Sequence, residues 1–462
     1  MPSATRYNIR QACGLEEELS DDLFLKSADR LYLWIPTVTK GFYFSNSFKK
    51  MAVEASTAKD LAEKRIPDLI DSILKVHDDL TPFFYQERIG HPRLQFFLMD
   101  PRTFGRPSFR RGLTITDSPS IPPDRGEDGL LNIRRAYSFS NKKPFHIYPG
   151  LIYRLISTGR RSSSWSLGRT VYTDLIESCD YLAFRIKSGW QTAMSKGEAA
   201  VTKFLKTDPA VLEWRDLIKQ ILVGDFSHYL AGLAFSSPIF QVVDKGQHIK
   251  LLMGLGSSAK QANYGMHVAP AGMLEFAQGD DDNSLTLKNF QTILAKELIE
   301  ETLVGKNFEA VKDNYKRKFS VMEAAISVDG VPFPQNFGGY PFQTNLVRLI
   351  IEDDILPHWD NYWVKTPPSK TLLQKALSFN PDQQPSFWIV DSFTLRPEII
   401  TPIFVTEDLP NMLSWEYEET QKETKQFNNM DEVRNYVAET RSSWAAPGLA
   451  AMYLGAKHFF GE

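Results

Sequence analysis

The sequence predicts a multidomain α/β protein whose N-terminal module contains a strand–helix–strand (βαβ) unit. Three observations carry this. At 462 residues the chain exceeds what one ordinary core fills, so it divides into two or three domains. Over residues 28–99, strand-like runs flank a long helical pattern, the order that builds a parallel pair of strands. After residue 231, short strand patterns recur around one well-marked helix.

The elements follow in order. Residues 30–35 are rich in aromatic and branched side chains and stop at Pro36, as a strand does. Residues 47–78 carry Leu61, Ile66, Leu69, Ile70, Ile73 and Leu74 at helical spacing, with Pro67 placed to kink or divide the helix. Residues 94–99 form a second strand, closed by Asp100 and Pro101. Pro107, Pro119, Pro122 and Pro123 make 101–128 a linker or long loop, which sets the first boundary. Residues 129–230 read mainly as helix, with buried stripes in 171–186 and 209–222. Residues 231–462 form the third unit. Its strands are expected at 239–243, 248–253, 387–390 and 399–405, and its helices at 287–304 and near the C-terminus. The domains are therefore 1–128, 129–230 and 231–462.

Composition narrows the function. A hydrophobic fraction of 42% with 24% charged residues is that of a folded globular protein and argues against extensive disorder. A net charge of −3 gives no global attraction to nucleic acid, which disfavours it as a partner. Only the Arg-rich stretches 102–135 and 160–169 offer local basic patches. Arg160, Arg161 and Arg169 flank a serine-rich loop that suits a phosphate or, more simply, solvent. Cys13 and Cys179 are far apart and lack zinc or redox spacing, which fits a reducing, cytoplasmic setting. The first six residues are polar, unlike a signal peptide. The most apolar C-terminal stretch, 445–456, is short and contains Pro447 and Gly448, so no membrane partner is expected.

The stretch that carries chemistry runs from His267 to Gly305. Gly272 follows Pro270-Ala271 at a strand break, and an acidic loop with Asp280, Asp281 and Asp282 leads to a helix containing Lys296, Glu297, Glu300 and Glu301. At about 100° per residue, Glu297 and Glu301 fall between Ile293 and Leu294 on the side of Phe290, and Glu300 lies at the edge of that sector. Ile299 and Leu303 make a second apolar stripe. Carboxylates that continue an apolar face need a cation, a proton or hydrogen bonds. A divalent metal would relieve the repulsion between Glu297 and Glu301, one turn apart. The plainer reading is an acidic helix end at a domain surface, partnered by Lys296 or Lys306. His248 and His267 are candidate acid–base groups, and Tyr264, Phe276, Phe337 and Tyr340 are candidates for stacking on a base. No glycine-rich phosphate loop, nucleophile elbow or zinc motif occurs.

Pro270-Ala271-Gly272 followed by Lys296-Glu297-Leu298-Ile299-Glu300-Glu301 resembles the box of the Nudix family. That box has a glycine, a glutamate, and then Arg-Glu-apolar-x-Glu-Glu-x-Gly-apolar. The resemblance implies a C-terminal Nudix-like α/β/α sandwich over 231–462. It implies magnesium, or manganese in its place, held by Glu297, Glu300 and Glu301, which are also the catalytic residues. It assigns Gly272 and Lys296 to substrate binding. The activity implied is metal-dependent hydrolysis of a nucleoside-diphosphate-type phosphoanhydride; the alternative is a non-catalytic nucleotide-sensing domain of a regulatory protein. Either way the partner is a nucleotide-like small molecule. The departures are specific: Lys296 stands where the family has Arg, and Leu303 where it has Gly. Lys288 occupies the place of the front glutamate, and the segment from Gly272 to Lys296 is longer than the family's by about ten residues.

Overall fold

A computed structural model describes residues 66–87, 91–116, 151–159, 165–171, 178, 181–255, 265–275, 284–303, 327–328, 331–332, 348–362, 369–408 and 422–462. The expected strand at 30–35 and most of the helical pattern at 47–78 lie outside them. Helix α1 (Ile66–Val76) carries Pro67 in its first described turn. Leu69, Ile70, Ile73 and Leu74 form its buried stripe. Strand β1 (Phe96–Leu98) follows. Asp100 then accepts the Arg102 amide at 2.8 Å and caps one helical turn, Pro101–Phe104, before β2 (Leu113–Ile115).

In the stretch read as mainly helical, the first described elements are strands. β3 (Leu151–Ser157) pairs antiparallel with β4 (Ser166–Val171). Ile152, Tyr153 and Leu155 are all fully buried, so β3 lacks the alternation that marks a half-buried strand. Three helices then match the expectation more closely: α2 (Tyr181–Met194), α3 (Glu198–Thr207) and α4 (Pro209–Leu222). Asp208 caps α4 by accepting the Ala210 amide at 2.9 Å, and Pro209 opens it.

The rest of the chain supplies β5 (Ala234–Ser236), β6 (Ile239–Val243), β7 (His248–Leu255), β8 (Met266–Val268), β9 (Ala271–Met273) and β10 (Ser284–Leu285). Helix α5 (Leu287–Leu298), a small hairpin of β11 (Ser327–Val328) and β12 (Val331–Pro332), and α6 (Thr371–Ser378) come next. Last are β13 (Phe387–Asp391), β14 (Pro397–Ile400), β15 (Ile403–Val405), β16 (Lys422–Phe427), α7 (Met430–Thr440) and α8 (Ala446–Phe459).

Two prolines shape the centre. Pro238 separates β5 from β6, and Pro402 separates β14 from β15. A proline cannot donate to a ladder, so each strand bends there. The bends are in register: Thr401 donates to the Ser236 carbonyl at 3.0 Å, and Ile403 to that of Pro238 at 2.9 Å. One parallel pair thus serves two sheets. The first has the order β1-β13-β14-β5-β9; the second runs β15-β6-β7-β16, with β8 also on β7. A third sheet, β10-β2-β4-β3, meets the first where Tyr153 donates to the Leu274 carbonyl at 2.9 Å.

Alternate residues of the first sheet face opposite layers. Trp388, Val390 and Ile399 share a core with Phe290, Ile293 and Leu294 of α5. Ile389 and Ile400 share another with Leu449 and Met452 of α8. The sheet is therefore sandwiched between helices. α8 lies close because Gly455 faces the Phe240 ring, where a Cβ would come within 2.4 Å.

β1 differs from the expected βαβ strand: its partner is β13, and the pairing is antiparallel, Phe97 opposite Val390. One core cluster contains Leu69, Phe97, Leu113, Ile186, Ile293 and Ile399, so the same core draws on all three sequence segments. Among the described residues no helix is long and apolar enough to cross a membrane.

Candidate functional site at the β9 edge

Helix α5 starts at Thr286, whose hydroxyl accepts the Asn289 amide at 3.2 Å. Phe290, Ile293, Leu294 and Leu298 are fully buried. Phe290 meets Phe235 of β5 edge-on at 6.0 Å and Phe109 at 5.0 Å. Asn289, Thr292, Ala295 and Lys296 are buried as well, so the helix is enclosed on nearly every side. Its acidic end is therefore not an exposed tip: the Glu297 side chain is 14% exposed.

After Leu298 the helix widens into a π turn, Ile299–Leu303. Thr302 steadies it by donating to the Leu298 carbonyl at 2.5 Å. Such turns are rare and recur at functional sites. This one holds Glu300 and Glu301; of Glu300 only the backbone lies within the described structure.

The two described carboxylates reach neighbouring residues of β9, the edge strand of the first sheet. A Cβ on Gly272 would stand 3.0 Å from Cδ of Glu297 and 3.2 Å from its Oε2, so the helix comes this close only against glycine. One residue earlier, the Ala271 amide donates to Oε2 of Glu301 at 2.9 Å. Lys296 completes the group. Its Nζ lies 3.3 Å from Oε1 of Glu297 and 3.4 Å from Oε2 of Glu275, and its side chain is 10% exposed. Glu275 sits two residues beyond β9, bridged to Ile152 of β3. Gly272, Lys296, Glu297 and Glu301 are thus brought together. Among the described residues, no group of three or more His, Cys, Asp or Glu side chains is arranged to hold a metal ion.

Hard carboxylate oxygens suit magnesium, which commonly takes only one or two protein carboxylates beside water and phosphate oxygens. Glu297 and Glu301, four residues apart in sequence, supply two carboxylates of that type.

A second buried acid lies two strands in from β9, on β14. Ser236 of β5 pairs with Ala271, and its hydroxyl donates to Oε1 of Glu398 on β14. Burial pushes the Glu398 carboxyl up to about 8; Asp391 reinforces this, while the Ser236 bond and Arg396 oppose it. His267 lies beneath α8, where a Cβ on Gly448 would come within 2.8 Å of its Cα. Burial lowers its pKa; the Val268 hydrogen bond opposes this and Arg396 adds to it. Its Nδ1 is 2.9 Å from the Val268 carbonyl oxygen. His248 lies in the β6–β7 hairpin, 3.8 Å from Asp244, and forms an ion pair there when protonated. Arg169 is part of β4. Arg160, Arg161, Tyr264, Phe276, Asp280, Asp281, Asp282, Phe337, Tyr340, Cys13 and Cys179 lie outside the described residues.

Sequence reasoning missed Glu275 and the Ser236–Glu398 pair. Glu275 had one signal, its place three residues beyond Gly272 on the segment leading out of β9. Glu398 had another, a carboxylate in the apolar run Pro397-Glu398-Ile399-Ile400.

Compared with known proteins, the chain matches no family model, and no curated protein matches it.

Proposed function

We propose that the α5–β9 site is a Nudix-like centre that hydrolyses a phosphoanhydride of a nucleoside-diphosphate-type small molecule with magnesium or manganese. The observation that carries this reading is the meeting of Glu297 and Glu301 with Gly272 and Ala271 at one strand edge. The helix–sheet–helix layering of the first sheet at β13 and β14 supports it.

In this reading Glu297, Glu301 and Glu300 hold the metal. The bound ion would lower the pKa of a water and offset phosphate charge. Ala271 fixes the Glu301 carboxylate through its amide, so this group needs little reorganisation on binding. Gly272 leaves room for Glu297 at the strand edge. Lys296 offers a positive charge beside the anionic substrate. A glutamate of the group takes the attacking water's proton.

One observation favours a second reading, a nucleotide-sensing domain without turnover. Lys296 already neutralises part of the charge on Glu297, so the site is folded around a cation of its own. The two readings separate in an assay of purified protein with magnesium against a panel of nucleoside diphosphate derivatives. Hydrolysis abolished by Glu301→Gln supports the enzyme. Binding without turnover, unchanged by Glu301→Gln, supports the sensor and ends the catalytic reading.

A further inference from the structure

Independently of the chemistry proposed at β9, we propose that Ser108 is a phosphorylation site for an arginine-directed serine kinase, and that its phosphate breaks the contact holding the 105–112 loop to the 380–384 turn. Three donors of the loop converge on one carboxylate. The Ser108 hydroxyl donates to Oδ2 of Asp382 at 2.9 Å, the Arg110 amide to the same oxygen at 3.0 Å, and the Phe109 amide to Oδ1 at 3.0 Å. Two successive amides with a hydroxyl beside them make a seat for an oxyanion. The anion in it comes from 273 residues further along the chain, so the contact is a tertiary clamp.

The flanks of Ser108 suit a kinase. Arg106 stands two residues before it, and Arg110 and Arg111 two and three residues after it; all three are exposed. Guanidinium groups at fixed offsets from a hydroxyl are read by an acidic substrate groove. Gly105 and Gly112 bound the loop in left-handed backbone, at φ 73° and 72°, and serve as its hinges. Phe109 anchors it, with its ring 5.0 Å from that of Phe290 and 6.3 Å from that of Trp388. The kinase therefore takes Ser108 when the loop opens, and the Asp382 clamp sets how often it does.

MgATP supplies the phosphoryl group. Ser108 Oγ attacks the γ-phosphorus, the new Oγ–P bond forms as the P–O bond to ADP breaks, and the hydroxyl proton passes to the kinase's aspartate. The ester carries a charge of about −1.5 to −2 at neutral pH. It removes the proton that Ser108 donated to Asp382 and sets an anion against that carboxylate. Arg106 and Arg110 offer the phosphate guanidinium partners on its own loop. Both sides of the clamp lead to α5. The Phe109 carbonyl accepts the amide of Leu287, the first residue of α5, at 3.2 Å. Phe379, next to the 380–384 turn, accepts Nε2 of Gln291 at 2.9 Å. Opening the clamp thus loosens the first turns of that helix.

The test uses the full chain. Wild type, Ser108→Ala and Asp382→Ala are incubated with MgATP and the catalytic subunit of cyclic-AMP-dependent protein kinase, and peptide mass spectrometry follows phosphate at position 108. Wild type is modified there, and Asp382→Ala is modified about tenfold faster, because the clamp no longer keeps the loop shut. Ser108→Ala is the blank for that peptide. No phosphate at Ser108 in either protein overturns the proposal, as do equal rates in the two. Phosphoserine is then installed at position 108 during translation, and amide hydrogen exchange is read peptide by peptide, with circular dichroism to verify folding. Exchange rises about tenfold over 105–112, 380–384 and the start of α5, and stays unchanged in α7. In the Asp382→Ala background phosphoserine brings no further rise, because the repelled carboxylate is gone. Unchanged or slower exchange in the phosphoserine protein overturns the proposal, as does an equal further rise in the Asp382→Ala background. Should Asp382→Ala fail to fold, Asp382→Asn, which keeps an acceptor oxygen and loses the charge, decides by the same signs.

Discussion

Replacing Glu398 with glutamine makes the protein more stable at neutral pH and removes a pH dependence that wild type shows. The carboxyl is enclosed under α8 and receives the Ser236 hydroxyl, and burial raises its pKa from an ordinary 4.5 to about 8. A raised acid favours folding when protonated. Its contribution is full below about pH 4.5 and is lost as pH rises through the folded value of about 8. Each unit of pH within that window costs about 1.4 kcal/mol, so at pH 7 the folded state has lost roughly 3 kcal/mol relative to pH 4.5, and by pH 8 roughly 4 kcal/mol. Glutamine keeps an oxygen to accept from Ser236 and has no proton to lose. Urea unfolding of both proteins from pH 5 to pH 9 measures the difference. The two midpoints lie close together at pH 5 and separate steadily toward pH 8, with the variant higher. Parallel pH profiles, or a variant less stable at every pH, would show that Glu398 is held as a carboxylate and refute the reasoning.

Three further results are expected. Gly272→Ala destabilises the fold by about 1–2 kcal/mol, as overpacking against the Glu297 carboxylate outweighs the chain-entropy gain; the cost disappears in a Glu297→Ala background, which chemical denaturation of the double variant checks. Glu87→Gln costs about 3 kcal/mol, because Arg434 donates to Glu87 at 2.8 Å and 2.9 Å and is left buried with one fewer anion. The Arg434 hydrogen bonds hold Glu87 down at about 2, so wild type loses this stabilisation as pH falls from 4.5 toward 2, and an acid titration of Glu87→Gln lacks that loss.

How much of this was legible in the sequence depends on the range of the forces. Pro209 after Asp208 and Thr286 before α5 act within one turn, and both helix starts are where local chemistry puts them. β6 matches its apolar run, Ile239–Val243, while the strand expected at 399–405 divides at Pro402. β3 and β4 were misread because what makes them strands is pairing and two-sided burial, neither visible in a single window. The partner of β1 lies nearly three hundred residues away, which no local pattern encodes. At the site, the spacing of Glu297 and Glu301 suggested a common facing, and Gly272 stood out as a break. The π turn has no marker in Ile299-Glu300-Glu301-Thr302-Leu303. Of the plainer reading, the Lys296 partner of Glu297 is present, while the Glu297 side chain is only 14% exposed; Lys306 lies outside the described residues.

The central claim is that Glu297 and Glu301 serve one divalent ion at the β9 edge. Anomalous diffraction from crystals of the full chain grown with Mn2+ tests it most directly. The account predicts a single strong peak at about 2.2 Å from carboxylate oxygens of both glutamates, next to Gly272. No peak there, with Lys296 still seated between Glu297 and Glu275, would contradict it.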